Sequence, residues 1–199
     1  MNIVSLGASR AASAGLAGLG ELLRHAIVEV RSGSGGSGTG IIWGGAGLVV
    51  TNAHCAPRGS ELQVDTDGKW REAQVFAYHP HHDLALLAAP SVSGPLLEIR
   101  EVESLRPGEL VFAYGHPLGV RDSLAMGVIN SIARDERTQQ PRWVVADVRL
   151  APGNSGGPLV DAEGRLVGIN SMVVNGLGVA VPATLVRRFV ERAVSQRAA

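Results

Sequence analysis

The chain has 199 residues, of which 45% are hydrophobic, so it can bury a sizeable core and is not a disordered protein. Its formal net charge of zero argues against a nucleic-acid partner bound through bulk positive charge and gives no indication of an anionic membrane. Cys55 is the single cysteine, which excludes an intrachain disulfide, and no apolar run is long enough for a membrane-spanning helix.

The first 25 residues predict an N-terminal arm. Leucines at nearly helical spacing indicate a weak helix at residues 11–25, although nearby glycines disfavour it. The start of the chain lacks a clear basic region and an unbroken apolar core, so it matches a signal peptide poorly. On this ground we expect a cytoplasmic location.

Short strand-like segments fill the chain from residue 26 to residue 182. The segment AIVEVR alternates like a strand, and we interpret the Gly- and Ser-rich stretch 32–40 as a surface loop between strands. Further apolar segments follow, mostly separated by Gly, Pro, Asn or Asp. A turn-rich stretch at 101–108 divides them into sets at about 26–100 and 108–182. The pattern predicts an all-β chain with a barrel or sandwich architecture.

The last segment changes to a helical period. Leu185, Phe189, Val190 and Val194 lie on one face of Thr184–Arg197, with charged residues elsewhere. This predicts a C-terminal helix over residues 183–199 that packs on the preceding strands.

The strongest motif is G-N-S-G-G-P around Ser155. Glycines beside a serine permit a tight turn in which backbone N–H groups converge on one point. Peptide hydrolysis needs such donors because its tetrahedral intermediate carries a negative oxygen. Ser155 is therefore the candidate nucleophile, and the N–H groups of Gly153 and Ser155 form the candidate oxyanion hole. By itself, this motif is also compatible with a turn that merely joins two strands.

A serine nucleophile needs a general base, and the base needs an acid that orients it. His54 follows the apolar segment GLVVTNA, and Asp83 opens the apolar segment DLALL. Each has an ordinary structural explanation by itself. Together with Ser155 they follow the His, Asp, Ser order of one known class of catalytic triads.

Several stretches make the chain similar to the protease domain of the HtrA (Deg) family of trypsin-like serine proteases. They are GSGTGIIW, GLVVTNAH, DLALL, GELVFAYGHPLG, GVINSIARDER, APGNSGGPLVD, GRLVGINS and GVAVP, in family order over about residues 20–190. The resemblance implies a chymotrypsin-like fold of two perpendicular six-stranded β-barrels with the active site between them. It implies that the backbone of Ser171 pairs with substrate and that its hydroxyl touches Asp83. It also implies that Leu150, Val173 and Val174 line the primary specificity pocket.

The same resemblance implies a serine endopeptidase that hydrolyses unfolded or misfolded polypeptides through an acyl-enzyme, without a cofactor. It suggests a trimer, and it makes a periplasmic or other extracytoplasmic location the alternative to the cytoplasm. The sequence as given ends shortly after GVAVP, so we expect no PDZ domain. We expect no metal site at His79, His81 and His82, because neighbours on a strand point to opposite faces and no second group of ligands is evident.

Two alternative functions predict sequence features that this chain can be checked for. A protease fold that serves as a silent chaperone or binding scaffold predicts a broken triad or oxyanion loop, and both are intact in sequence. An α/β-hydrolase esterase predicts G-x-S-x-G and the order Ser, acid, His, which this chain does not have.

Arg149 lies where trypsin-like enzymes place the pocket floor. We expect it to turn outward or to pair with Asp147 or Asp161, since an unpaired buried charge is costly.

Overall fold

A computed structural model describes residues 3–33, 35–45 and 47–198, and these contain two long helices and two sets of strands. The first set of strands is β1 (Ile27–Ser32), β2 (Ser37–Ile42), β3 (Leu48–Thr51), β4 (Leu62–Thr66), β5 (Lys69–His79) and β6 (Leu84–Ala88). The second set is β7 (Leu110–Gly115), β8 (Ser123–Arg134), β9 (Pro141–Asp147), β10 (Pro158–Asp161), β11 (Leu166–Val174) and β12 (Leu177–Pro182). The helices are α1 (Ile3–Arg24) and α2 (Ala183–Ala198). Neither is long and apolar enough to cross a membrane.

Each set of strands closes into an antiparallel barrel. The order around the first barrel is β1-β2-β3-β6-β5-β4, and around the second it is β10-β11-β12-β9-β8-β7. The predicted all-β chain with two six-stranded barrels and a C-terminal helix is therefore confirmed. Apolar side chains fill each barrel, and a third cluster of buried residues joins the barrels to both helices.

Helix α1 is longer than the sequence predicts, since it begins at Ile3 and not near residue 11. Its last turns place Leu19 and Leu23 in the cluster between the barrels, where Leu23 is fully buried. Tertiary packing of this kind stabilises a helix whose glycines would disfavour it in isolation. The sequence pattern contains the leucines but not the surface that covers them.

Strand β2 begins at Ser37, so the interpretation of residues 32–40 as a loop is wrong for the second half of that stretch. The glycines there serve close packing. A Cβ at Gly38 would lie 2.5 Å from Cys55 Sγ, and a Cβ at Gly40 would lie 2.5 Å from Val49. Glycine lets the backbone of a strand come close to neighbouring parts of the protein. The Gly- and Ser-rich stretch, whose composition is typical of a flexible loop, therefore forms a tightly packed strand here.

Candidate active site

His54 and Asp83 come from the first barrel, and neighbouring groups fix both backbones. His54 lies in the turn after β3, and Asp83 follows a short 3-10 helix, Pro80–His82, just before β6. The side-chain amide of Asn52 donates to the Asp83 carbonyl at 3.0 Å. Asp83 has a left-handed backbone with φ 52°, a conformation that aspartate tolerates better than most residues.

Three donors converge on the Asp83 carboxylate. His54 Nδ1 lies 3.0 Å from Oδ1 and 2.9 Å from Oδ2, and the His54 backbone N–H donates to Oδ1 at 3.1 Å. The Ser171 hydroxyl donates to Oδ2 at 2.6 Å. Since Ser171 belongs to β11 of the second barrel, this carboxylate joins the two barrels at the site.

These contacts shift the pKa values of both members of the pair. The hydrogen bond with Asp83 raises the pKa of His54 above its usual 6.5, with a smaller effect from Cys55, and burial opposes the shift. Burial of Asp83 favours its neutral form, but the hydrogen bonds from His54 and Ser171 outweigh burial and hold its pKa below 3.8. Asp83 is therefore a carboxylate at neutral pH, and it holds His54 with Nδ1 as the protonated nitrogen.

Ser155 lies in the loop that leads into β10. Its hydroxyl donates to the Ser171 carbonyl at 3.1 Å, and in the described part of the chain it has no hydrogen bond with His54. The side chains of His54 and Ser155 are thus connected through Asp83 and Ser171. The Ser155 hydroxyl must leave the Ser171 carbonyl before it can donate to the imidazole.

The loop before Ser155 has its carbonyl oxygens paired and two N–H groups free. The Pro152 carbonyl accepts from Leu118 N at 2.8 Å, and the Asn154 carbonyl accepts from Gly157 N at 3.0 Å. Among the described residues, the N–H groups of Gly153 and Ser155 have no acceptor. In a trans peptide the C=O and N–H point in opposite directions, so each paired carbonyl directs the next N–H away from its partner.

Gly153 must be a glycine for two independent reasons. Its φ is +103°, which L-residues with a side chain rarely adopt, and a Cβ would lie 2.3 Å from the His116 carbonyl oxygen. Thr39 of the first barrel also holds this loop, because its hydroxyl donates to the Gly153 carbonyl at 2.7 Å and its N–H donates to the Ser155 carbonyl at 2.8 Å.

The residues expected to line a specificity pocket lie around the β11–β12 hairpin. Val173 pairs with Gly178 of β12 and is 51% exposed, whereas Val174 pairs with Leu177 at the tip of the hairpin. A Cβ on Gly178 would lie 3.0 Å from Leu150 Cδ1. Leu150 thus packs against the backbone of Gly178, the strand partner of Val173, in space that a side chain at position 178 would need.

The side chain of Arg149 is exposed, and within the described ranges it forms no ion pair with Asp147 or Asp161. The expectation that His79, His81 and His82 alternate along a strand is wrong, because Pro80–His82 is a 3-10 helix and His79 stacks on His82 with 4.4 Å between ring centres.

Several residues of this site were not found by sequence reasoning. Asn52, Thr39 and Gly178 each act on a candidate residue far away in the chain, through contacts that only the docking of strands creates. Asn52 and Thr39 do lie in the stretches GLVVTNAH and GSGTGIIW that carry the resemblance. The resemblance identifies these segments but does not indicate which of their side chains contacts a candidate site residue.

Comparison with known proteins identifies the family of the chain. The family described as "Trypsin-like peptidase domain" matches residues 38–169, and the chain belongs to that family. Within it, the chain is similar to HtrA-type proteins. It is 33% identical to "Serine protease HTRA1" of Xenopus laevis over 85% of this chain and 39% of that protein.

Two further similarities lie in the same group. A protein of Chlamydia muridarum named "Probable periplasmic serine endoprotease DegP-like" is 29% identical over 79% of this chain and 34% of its own length. The solved structure "HtrA-type protease AlgW with tripeptide" superposes with a TM-score of 0.80 at 28% identity, over 88% of this chain and 62% of that one. The chain thus spans roughly two fifths or less of the length of these two curated relatives.

Proposed function

We propose that this chain is a serine endopeptidase in which His54 is the general base, Asp83 orients it and Ser155 is the nucleophile. The observation that carries the proposal is the Asp83 carboxylate, which holds Nδ1 of His54 at 2.9 Å beside a loop with two N–H groups that have no acceptor among the described residues. A histidine fixed in this tautomer leaves Nε2 available to accept a proton. The free N–H groups of Gly153 and Ser155 supply an oxyanion hole.

The reaction begins when the Ser155 hydroxyl leaves the Ser171 carbonyl and donates to His54 Nε2. Ser155 Oγ attacks the scissile carbonyl carbon while its proton passes to Nε2, and the negative oxygen accepts from Gly153 and Ser155. The C–N bond then breaks as His54 returns the proton to the amine, which leaves an acyl-enzyme. Water activated by His54 hydrolyses the ester and regenerates Ser155.

The substrates we propose are unfolded or misfolded polypeptides. Only an extended segment can pair with the backbone of β11 beyond Ser171, where the side chains from Met172 to Val174 are exposed. Leu150, Val173 and Val174 carry no charge, so the pocket beside them favours small aliphatic residues. No cofactor, metal or nucleic acid enters this proposal.

Compartment and assembly are proposed only from similarity. The relative with "periplasmic" in its name favours the extracytoplasmic alternative, and the expected cytoplasmic location finds no support among the relatives compared. Assembly into a homotrimer stays a prediction from the HtrA resemblance.

The test combines labelling with proteolysis. Fluorophosphonate should phosphonylate the wild type at Ser155, and the wild type should degrade denatured casein. Ser155→Ala and His54→Ala should each abolish both activities while melting within a few degrees of the wild type, since neither change leaves a core cavity. The triad acts as a unit, so the double variant should be no slower than the single ones. Labelling that survives Ser155→Ala would contradict the assignment.

A second function, a silent scaffold on the same fold, is favoured by one observation. The Ser155 hydroxyl donates to a backbone carbonyl and not to His54. In a scaffold this rotamer would persist, and the wild type would bind denatured casein without cleaving it or reacting with fluorophosphonate. The same experiment therefore separates the two functions.

A further inference from the structure

The segment His116–Asp122, which joins β7 to β8, supports the candidate oxyanion loop from behind. Leu118 N–H donates to the Pro152 carbonyl at 2.8 Å and so sets the direction of the following Gly153 N–H. The His116 carbonyl lies against the Cα of Gly153, where any side chain would collide with it. A displacement of this segment would therefore turn the peptide that carries the first oxyanion donor.

Beyond the buried His116, the segment is held by short-range hydrogen bonds and not by core packing. Leu118 has φ 53° and is 76% exposed, and Asp122 has φ 59°. Residues other than glycine occupy this left-handed region only when their surroundings impose it. Asp122 is tied to its own barrel, since it accepts from the Tyr114 hydroxyl at 3.2 Å. Two restraints reach the segment from the opposite barrel: the Thr39 hydroxyl accepts from the His116 N–H at 3.2 Å at its start, and Arg121 holds its end.

Arg121 reaches across the junction of the two barrels. Its guanidinium donates to Asp65 Oδ2 and to Glu29 Oε2, the second at 3.3 Å. Glu29 and Asp65 face each other on paired strands β1 and β4, so Arg121 contacts a rigid ladder. Asp65 is 3% exposed, and its other oxygen has no partner among the described residues. Among the described residues, Arg121 is the only ion-pair partner of Asp65.

We propose that Arg121 is a positioning residue that orients the Gly153 N–H by clamping His116–Asp122 onto Glu29 and Asp65 of the first barrel. The inference rests on the proposed function and deepens it. The path runs from Asp65 through Arg121 and the backbone of the segment to Leu118 N, then to the Pro152 carbonyl and the Gly153 N–H. Arg121 touches neither substrate nor reacting atoms, and it acts only through this path.

The primary test compares Arg121→Ala, Arg121→Lys and the wild type. Arg121→Ala should lower the rate of Ser155 phosphonylation and kcat about 10- to 100-fold, below the 10²–10³ that removal of one oxyanion donor typically costs. KM for a peptide substrate should change less than about threefold, because the substrate-pairing strand is untouched. One nitrogen of Arg121 makes both contacts, and a lysine would bring a single ammonium on a differently shaped side chain, so Arg121→Lys should keep part of the restraint and fall between the two.

Two further variants separate positioning from stability. Arg165→Ala removes one of the two arginines that pair with the buried Asp161, away from the oxyanion loop, and should leave labelling and kcat unchanged. Arg121→Ala leaves Asp65 as a buried charge without a partner and should lower Tm. The double variant Asp65→Ala/Arg121→Ala removes that charge, so its Tm should recover while its labelling stays slow.

The outcomes are distinguishable. If the double variant regains both Tm and labelling rate, Arg121 serves stability alone and the inference is overturned. If Arg121→Ala labels as fast as the wild type, the inference is likewise overturned while the proposed function stands. If the wild type is not labelled, the proposed function fails, and this inference fails with it.

Discussion

The carboxylate of Asp83 illustrates how single residues set the chemistry of this site. Burial alone would favour its neutral form, yet its pKa is lowered because His54 and Ser171 donate to it. The hydrogen bond between His54 and Asp83 in turn raises the pKa of His54. The stabilisation from His54 is complete below pH 6.5 and is lost as the pH rises through its folded pKa. The stabilisation from Asp83 is present above 3.8 and is lost as the pH falls through its lowered pKa.

The pKa of His54 is open to direct measurement. In Ser155→Ala, the His54 Cε1–H resonance should titrate with a midpoint above 6.5, because the imidazolium is held by Asp83. Asp83→Asn keeps a similar shape without the charge and should bring the midpoint down. Cleavage requires neutral His54, so kcat/KM should fall as the pH falls through the midpoint found for the free enzyme. A midpoint at or below 6.5 would contradict the role given to Asp83.

No sequence pattern predicts which group accepts the hydrogen bond of the Ser155 hydroxyl. The motif G-N-S-G-G-P identifies the nucleophile candidate because glycines are needed for the turn. It carries no information on whether the hydroxyl donates to His54 or to the Ser171 carbonyl, since both acceptors lie far away in sequence. The choice depends on which of the two acceptors the folded chain brings within reach of the Ser155 hydroxyl.

At the scale of elements, the sequence predicts strands well and their packing partners poorly. The period-2 segments and the final amphipathic helix are found because burial of one face leaves a periodic pattern. The start of β2 is missed for a different reason, and the end of α1 is predicted only as a weak helix for the same one. Glycines of β2 and leucines at the end of α1 owe their structure to surfaces contributed by other elements. Composition alone therefore predicts a weak helix in the one case and a surface loop in the other.

The β11–β12 hairpin is the element that should set cleavage specificity. We predict cleavage after Val, Ala, Ile or Leu and poor cleavage after Lys or Arg, measured by mass spectrometry of a digest of denatured casein. Each methylene in such a pocket is worth roughly 1–3 kcal/mol, so preferences among aliphatic residues should be modest. Arg149 is exposed and unpaired in the described structure, and mostly acidic cleavage sites would mean that it enters the pocket.

Gly178 allows a sharper test of the same hairpin. In Gly178→Ala the new methyl group would lie 2.8 Å from Val148 and 3.0 Å from Leu150, so Leu150 should be pushed away from Gly178 and the proposed pocket that it lines should become smaller. Cleavage after Leu and Ile should fall about tenfold relative to cleavage after Ala. The matched control is Gly20→Ala in α1, where the added Cβ meets nothing within 4 Å. An unchanged cleavage profile in Gly178→Ala would place the pocket elsewhere.

At the scale of the whole molecule, the order of the active loop depends on the docking of one barrel against the other. Thr39 and Arg121 both bridge the junction, one holding the loop before Ser155 directly and the other through His116–Asp122. Their effect cannot be read from either half of the sequence, because each contact pairs residues more than fifty positions apart. The order of the oxyanion loop is thus a property of the assembled fold.

That arrangement bears on activation. In digestive trypsin-like enzymes an aspartate before the nucleophile pairs with a newly cut N-terminus, whereas here that position is Asn154. Asn154 is buried, and its N–H and carbonyl are already paired with Ala151 and Gly157. We therefore predict activity without an N-terminal cut. Intact-mass analysis of fluorophosphonate-labelled protein should find the label on uncut chains, and label confined to chains cut at one N-terminal site would contradict this.

Asn154→Asp tests whether any cation is available at this position. The side-chain oxygen of Asn154 has no partner among the residues described, so a carboxylate there would be buried without compensation. We expect a loss of about 3–5 kcal/mol in the free energy of unfolding at neutral pH. Because the folded pKa of this aspartate would be raised, the loss relative to wild type should shrink as the pH falls toward 4. Urea unfolding of both proteins at several pH values measures this, and equal stability at neutral pH would reveal a cation that pairs with position 154.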